Sequence, residues 1–148
     1  MTRKPSRWNP AAWLAAGVVA FSGGSAAGAA LTDDADQWDF YPLRVDDQPA
    51  SIFLNMSLAR RAPVRGFERM AYLRVIMRAP RDDGLSSQDE YDRLIEVEEG
   101  VIAEIEKDGA TGYVGRNTSS GNRDFFFYTR DAAAFERAAR KAMQSYPE

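Results

Sequence analysis

The chain has 148 residues, which fits one domain, and its 45% hydrophobic content is enough to build a core. It contains no Cys and no His, which excludes disulfides, thiolate nucleophiles, Cys- or His-ligated metals and Ser–His triads. The formal net charge of −3 is unevenly spread. The first thirty residues hold Arg3, Lys4 and Arg7 and no acid, so the rest carries 16 cations against 22 anions, a net of −6 that repels phosphate backbones and argues against nucleic-acid binding.

Residues 1–29 run from a cationic stretch through the apolar AAWLAAGVVAF of Ala11 to Phe21 to small residues that include Ala27-Gly28-Ala29. Charged, apolar, small is the order of a secretory signal. The apolar run is shorter than the roughly 20 residues that span a bilayer, so an uncleaved anchor would have to recruit the small residues after it. This predicts an exported protein, periplasmic or secreted, whose membrane contact is confined to that segment. The alternative is a mis-called start and a cytoplasmic protein. Residues 30–37, which include LTDDADQ, read as a polar linker, and residues 38–148 as the domain.

Trp38 to Tyr41 predicts a short strand stopped by Pro42, and Asp46-Asp47-Gln48-Pro49 a turn. Ile52, Leu54, Met56 and Leu58 alternate with Phe53, Asn55 and Ser57, the pattern of a strand with one buried face. A loop follows, then the strongest strand, Met70 to Arg78, with Ala71, Leu73, Val75 and Met77 on one face and Met70, Tyr72, Arg74 and Ile76 on the other. Ser87 and Glu90 suit a capping box for a helix that stops near Gly109. Thr111 to Thr118 and Arg123 to Thr129 read as a hairpin around Ser119-Ser120-Gly121-Asn122. A last helix begins near Asp131, and Phe135, Ala138, Ala139, Ala142, Met143 and Tyr146 form its single apolar stripe.

The expected fold is α+β: an antiparallel sheet of about five strands with two helices on one face. It consists of a ferredoxin-like β-α-β-β-α core preceded by two extra strands, with the last strand missing. The Ile52 strand is expected beside the Met70 strand, in the empty place.

One acid stands out. On a helical wheel Glu98 falls amid Tyr91, Leu94, Ile95, Val101, Ile102 and Ile105, whereas Glu96 and Glu99 point away. A carboxylate pressed against a sheet needs hydrogen bonds or a cation. Arg116, Arg123, Thr118, Tyr113 and Tyr128 of the following hairpin are the candidate partners, because Arg matches a carboxylate two-pronged and hydroxyls donate. Glu98, Arg116, Thr118, Arg123 and Tyr128 therefore form the candidate polar pocket, weighed against a purely structural anchor for the helix. The aromatic run after Gly121-Asn122 has a superficial likeness to an RNA-binding strand, but alternation buries one aromatic pair and the acidic charge opposes RNA.

Several segments together resemble the bacterial domain-of-unknown-function family 695: WDFYPLRVDDQPASIFLNMSL, LIEVEEGVIAEIE, YVGRNTSSGNRDFFFYTRD and the closing SYP, over roughly Trp38 to Pro147. The Glu98-Glu99 pair after Val97 resembles that family's helix. The Gly115, Thr118, Gly121, Arg123 and Phe127-Tyr128 spacing resembles its hairpin. The family is associated with the ferredoxin-like type B regulators of ribonuclease E activity, which bind protein and are not enzymes. The resemblance therefore implies a binding domain, although export would put a cytoplasmic ribonuclease out of reach.

The sequence thus predicts a non-catalytic binding or protein-interaction module with a protein or small-ligand partner, no cofactor and no metal. Tyr72, Ile76 and Phe53 are the candidate interaction surface on the uncovered sheet face. The second reading is a carboxylate-dependent hydrolase in which Glu98 is acid or base and an arginine holds an anion. The third is a cytoplasmic regulator similar to the ribonuclease E regulators.

Overall fold

The computed structural model describes Leu31 and residues 35–147. The signal-like residues 1–29 lie outside the described residues. Five strands form one antiparallel sheet: β1 (Trp38–Val45), β2 (Gln48–Asn55), β3 (Arg69–Ile76), β4 (Thr111–Ser119) and β5 (Asn122–Thr129). Their spatial order is β1-β2-β4-β5-β3. Among the described residues three α-helices accompany them: α1 (Ser57–Arg61), α2 (Tyr91–Ile105) and α3 (Ala132–Ala142). The α+β class and the five-stranded sheet are as expected from sequence.

Strands β3 and β4 flank β5 and are joined through α2, a split β-α-β arrangement like that of a ferredoxin-like core. No strand follows α3 among the described residues. The Ile52 strand is not beside β3. It pairs with β4 at the other end of the sheet, with Ile52 opposite Asn117 and Phe53 opposite Arg116. Local alternation marks a strand but carries no information about its neighbour, so this placement could not be read from the pattern.

Two boundaries also differ. Pro42 sits inside β1 and does not end it. β1 is an edge strand, where a missing N–H costs no ladder hydrogen bond. Its hairpin to β2 turns on Asp46 and Asp47, both at positive φ, which is the backbone of a two-residue primed turn. Strand β2 stops at Asn55 and α1 begins at Ser57, so Phe53 and Asn55 are buried while Ile52, Leu54 and Met56 are only half-buried. Asn55 Oδ1 accepts the Ser57 N–H at 3.0 Å, a local bond that competes with strand continuation.

The main core lies between the sheet and the helix pair α2–α3. Val75, Phe125, Phe127 and Tyr113 meet Leu94, Val97, Val101, Ile102 and Ile105 of α2 and Ala139 and Ala142 of α3. Helix α3 starts where Asp131 accepts the N–H groups of Ala133 and Ala134. Tyr146, just past α3, rests over Gly100 of α2, where a Cβ would collide with its ring, and stacks under Arg93 at 5.0 Å. On the opposite sheet face α1 and the loop after it build a second cluster of Leu31, Leu58 and Phe67, with Val64, Val114 and Tyr128 against it. The helices therefore do not all lie on one face: α2 and α3 cover one side and short α1 part of the other.

Candidate functional site

The polar centre of the fold is assembled by a kink in β4. Between Tyr113 and Gly115 the register with β5 slips by one residue: Tyr113 is opposite Phe127, Gly115 opposite Phe126 and Arg116 opposite Phe125. A regular strand would send Tyr113 and Arg116 to opposite faces. The bulge at Val114 brings both to the helix side. Val114 turns outward to the second cluster, and at Gly115 a Cβ would overlap the Phe53 carbonyl oxygen. Glycine there lets β2 come close enough to pair.

Helix α2 lowers Glu98 onto this strand. The side chain is 0% exposed. Tyr113 Oη donates to Glu98 Oε1 at 2.9 Å. Arg116 Nη1 donates to Oε1 and Oε2, both at 2.6 Å. Arg123 adds a second cation, its Nη1 3.7 Å from Oε2, and its Nε donates to Thr118 Oγ1 at 3.1 Å. Glu96 and Glu99 are exposed, as the wheel required.

Aromatic rings wall this centre. Trp38 stacks on Phe53 at 5.0 Å and on Tyr113 at 5.6 Å, and the Arg116 guanidinium lies 5.1 Å from the Phe53 ring centroid. Burial and then the Glu98 charge push the Tyr113 hydroxyl well above its ordinary pKa. Burial opposes the charge on Arg116, but Glu98 and Tyr113 outweigh it and hold the guanidinium above its usual value. For Arg123, burial and the neighbouring Arg116 win, and its pKa is pushed down to about 10. Glu90, at the start of α2, supplies further negative charge near Arg123. Its Oε1 accepts the Arg78 N–H, and its buried Oε2 has no hydrogen-bond partner among the described residues. Two acids thus compensate two arginines around a carboxylate that is itself wholly buried, while Arg116 keeps 15% of its side chain exposed.

Of the sequence-derived pocket residues, the fold brings Glu98, Arg116, Thr118 and Arg123 together. Tyr128 is a correction: it faces the opposite side of the sheet and packs with the Leu31–Leu58–Phe67 cluster, because it is an even step from Phe126 and an odd step from Phe127. Of the surface residues, Tyr72 and Ile76 are 59% and 63% exposed. Phe53 is the second correction. It is 8% exposed and lies on the helix side, held between Trp38 and Arg116.

The exposed face has its own order. Tyr72 sits opposite Phe126, with rings 6.3 Å apart. Arg74 is opposite Asp124 and grips it with two hydrogen bonds, Nε to Oδ1 at 2.8 Å and Nη2 to Oδ2 at 2.9 Å. Met70, 66% exposed, extends the same row. Met70 and the Arg74–Asp124 pair did not emerge as site residues from sequence. The strand's alternation placed Met70 and Arg74 on this face, but cross-strand partners require the register.

The fold and this centre define a small α+β domain with a buried, charge-compensated anchor and an uncovered apolar sheet face. The chain belongs to the family of unknown function DUF695, whose pattern matches residues 36–148. Comparison with curated proteins finds no match. Comparison with solved structures finds none either.

Proposed function

We propose that this chain is a non-catalytic protein-binding domain of the bacterial envelope that acts through the uncovered face of β3 and β5. The observation that carries this reading is the row of Met70, Tyr72 and Ile76, large apolar side chains left in water on one face of one strand. Exposed apolar rows of this kind cost solubility unless they are covered by a partner. The charged-apolar-small order of residues 1–29 supports export. The resemblance to the type B regulators of ribonuclease E, if it reflects kinship, would favour protein binding over catalysis, and on this reading the partner is an envelope protein. The hydrolase alternative needs Glu98 at a solvent-open cleft, whereas its side chain is wholly buried and both oxygens are bonded.

The test is capture from an envelope extract by the full chain and by Tyr72→Ser. A defined partner retained by the wild type and lost with Tyr72→Ser is expected. Turnover of a small substrate by the purified chain, abolished in Glu98→Gln that still folds, would overturn the reading. The mass of the native N-terminus tests export, because a chain that begins near Ala30 has been cleaved and exported.

A further inference from the structure

The two edges of the sheet are built differently. Edge β1 carries Pro42 in its middle, which removes a donor and sets a ring against any incoming strand. Among the described residues, edge β3 pairs only with β5, in unbroken register from Arg69 to Ile76. It holds no Pro, no Gly, no Lys and no bulge over those eight residues. Its central charge, Arg74, is already neutralised by Asp124 on the neighbouring strand. The backbone devices that keep natural edges from pairing, proline and bulge, are thus represented on β1 by Pro42 and lacking from β3, whose charges are Arg69 at its first position and the Asp124-paired Arg74.

We infer that the β3 edge is completed by the β3 edge of a second copy of this chain, joining two sheets into one of ten strands. The occupant follows from the strand's self-complementarity. A two-fold axis normal to the sheet sets residues of equal face opposite each other, so each register is named by its central residue. Centred on Leu73, the strand pairs Met70 with Ile76 of the second copy and Ala71 with Val75, and sets Leu73 against itself. Tyr72 then meets Arg74, a ring against a guanidinium. Met70 and Ile76, the two most exposed apolar residues of the strand, find apolar mates, Tyr72 meets a guanidinium, and no like charges meet. Centring on Arg74 would set arginine against arginine, and centring on Tyr72 would set Met70 against Arg74 and Ile76 against Glu68. Centring on Ala71 would pair Met70 with Tyr72 but set Ile76 against Gly66, outside the strand, so of these registers the Leu73 one keeps Met70, Tyr72 and Ile76 all within the paired strands. The inference deepens the binding reading by assigning the strand edge, and rests on it in taking β3 as a contact surface.

The test uses charge exchange at the two exposed positions that this register pairs. Sedimentation of the full chain over a range of concentrations is expected to show a reversible dimer. Met70→Glu alone and Ile76→Lys alone are each expected to weaken it tenfold or more, because each sets a charge against an apolar mate. The double variant is expected to regain the lost affinity, because the opposite charges then meet across the two-fold at both ends. Circular dichroism melts establish that all three variants fold. A chain that stays monomeric, an association indifferent to the single substitutions, or a double variant no better than the singles would each overturn the inference. A monomer that still captures a partner through Tyr72 overturns the dimer alone and leaves the binding reading standing.

Discussion

At the residue scale the molecule turns on one carboxylate. Removing one member of a buried ion pair leaves the other charge uncompensated and costs about 3–5 kcal/mol, whereas replacing both members with apolar residues of similar volume is often close to neutral. Glu98, itself fully buried, is bonded by Arg116, whose side chain is 15% exposed. Glu98→Leu and Arg116→Met are therefore each expected to lose stability in that range, and the double variant to lose less than either single, as measured by urea unfolding. Glu106 provides a second expectation at this scale. Half-buried just after α2, its Oε1 accepts the Tyr113 N–H at 2.6 Å, and burial raises its pKa to about 7. A carboxyl whose folded pKa lies above its unfolded value of 4.5 binds its proton more tightly in the native state. Its contribution is complete at lower pH and declines as pH rises from about 4.5 through about 7, by no more than about 1.4 kcal/mol per pH unit. Glu106→Gln is expected to flatten that part of the stability–pH curve. An unchanged slope would mean that Glu106 does not titrate there.

At the element scale, the bulge in β4 decides which side chains can meet Glu98. The helical wheel located Glu98 because helix periodicity survives without knowledge of tertiary partners: the apolar residues at three- and four-residue spacing fix the buried face. Strand periodicity fails at Val114, where one extra residue inverts the alternation. Tyr113 and Arg116 were both legible as candidates by chemistry, but their sharing a face was not. The error over Tyr128 has the same root, since alternation within β5 separates Phe125 and Phe127 from Phe126 and Tyr128 without saying which pair meets the helices. Phe53 lies on the helix side because the buried parity of β2 is that of Phe53 and Asn55, and alternation of apolar residues on both parities does not choose between them. Gly115 was the available signal for the bulge, a glycine inside a strand. Gly115→Ala is expected to cost about 1–3 kcal/mol, the usual penalty for overpacking, because its new methyl meets β2 backbone and not a flexible side chain. A loss below about 0.5 kcal/mol in urea melts, typical of an unconstrained surface site, would show that β2 can give way.

At the scale of the whole molecule, the two sheet faces differ, and the proposed contact surface is the one without the main core. One face carries the helices, the apolar core and the compensated charges of Glu98, Arg116, Arg123 and Glu90. The other is covered in part by α1 and its loop, and leaves Met70, Tyr72 and Ile76 in water. The overall class was legible because element type, length and spacing suffice to choose α+β. The strand order was not, because β2 could pair with either open side of the β3-β5-β4 unit with the same local pattern. The sheet's free edge, and with it the self-complementary β3, follows from that order. The difference between the two faces is tested most directly by comparing the unfolding of Glu98→Leu and Tyr72→Ser in urea with that of the wild type. A loss of about 3–5 kcal/mol for Glu98→Leu and a change within about 0.5 kcal/mol for Tyr72→Ser is the predicted result. Equal losses, or a Glu98→Leu protein as stable as the wild type, would contradict it.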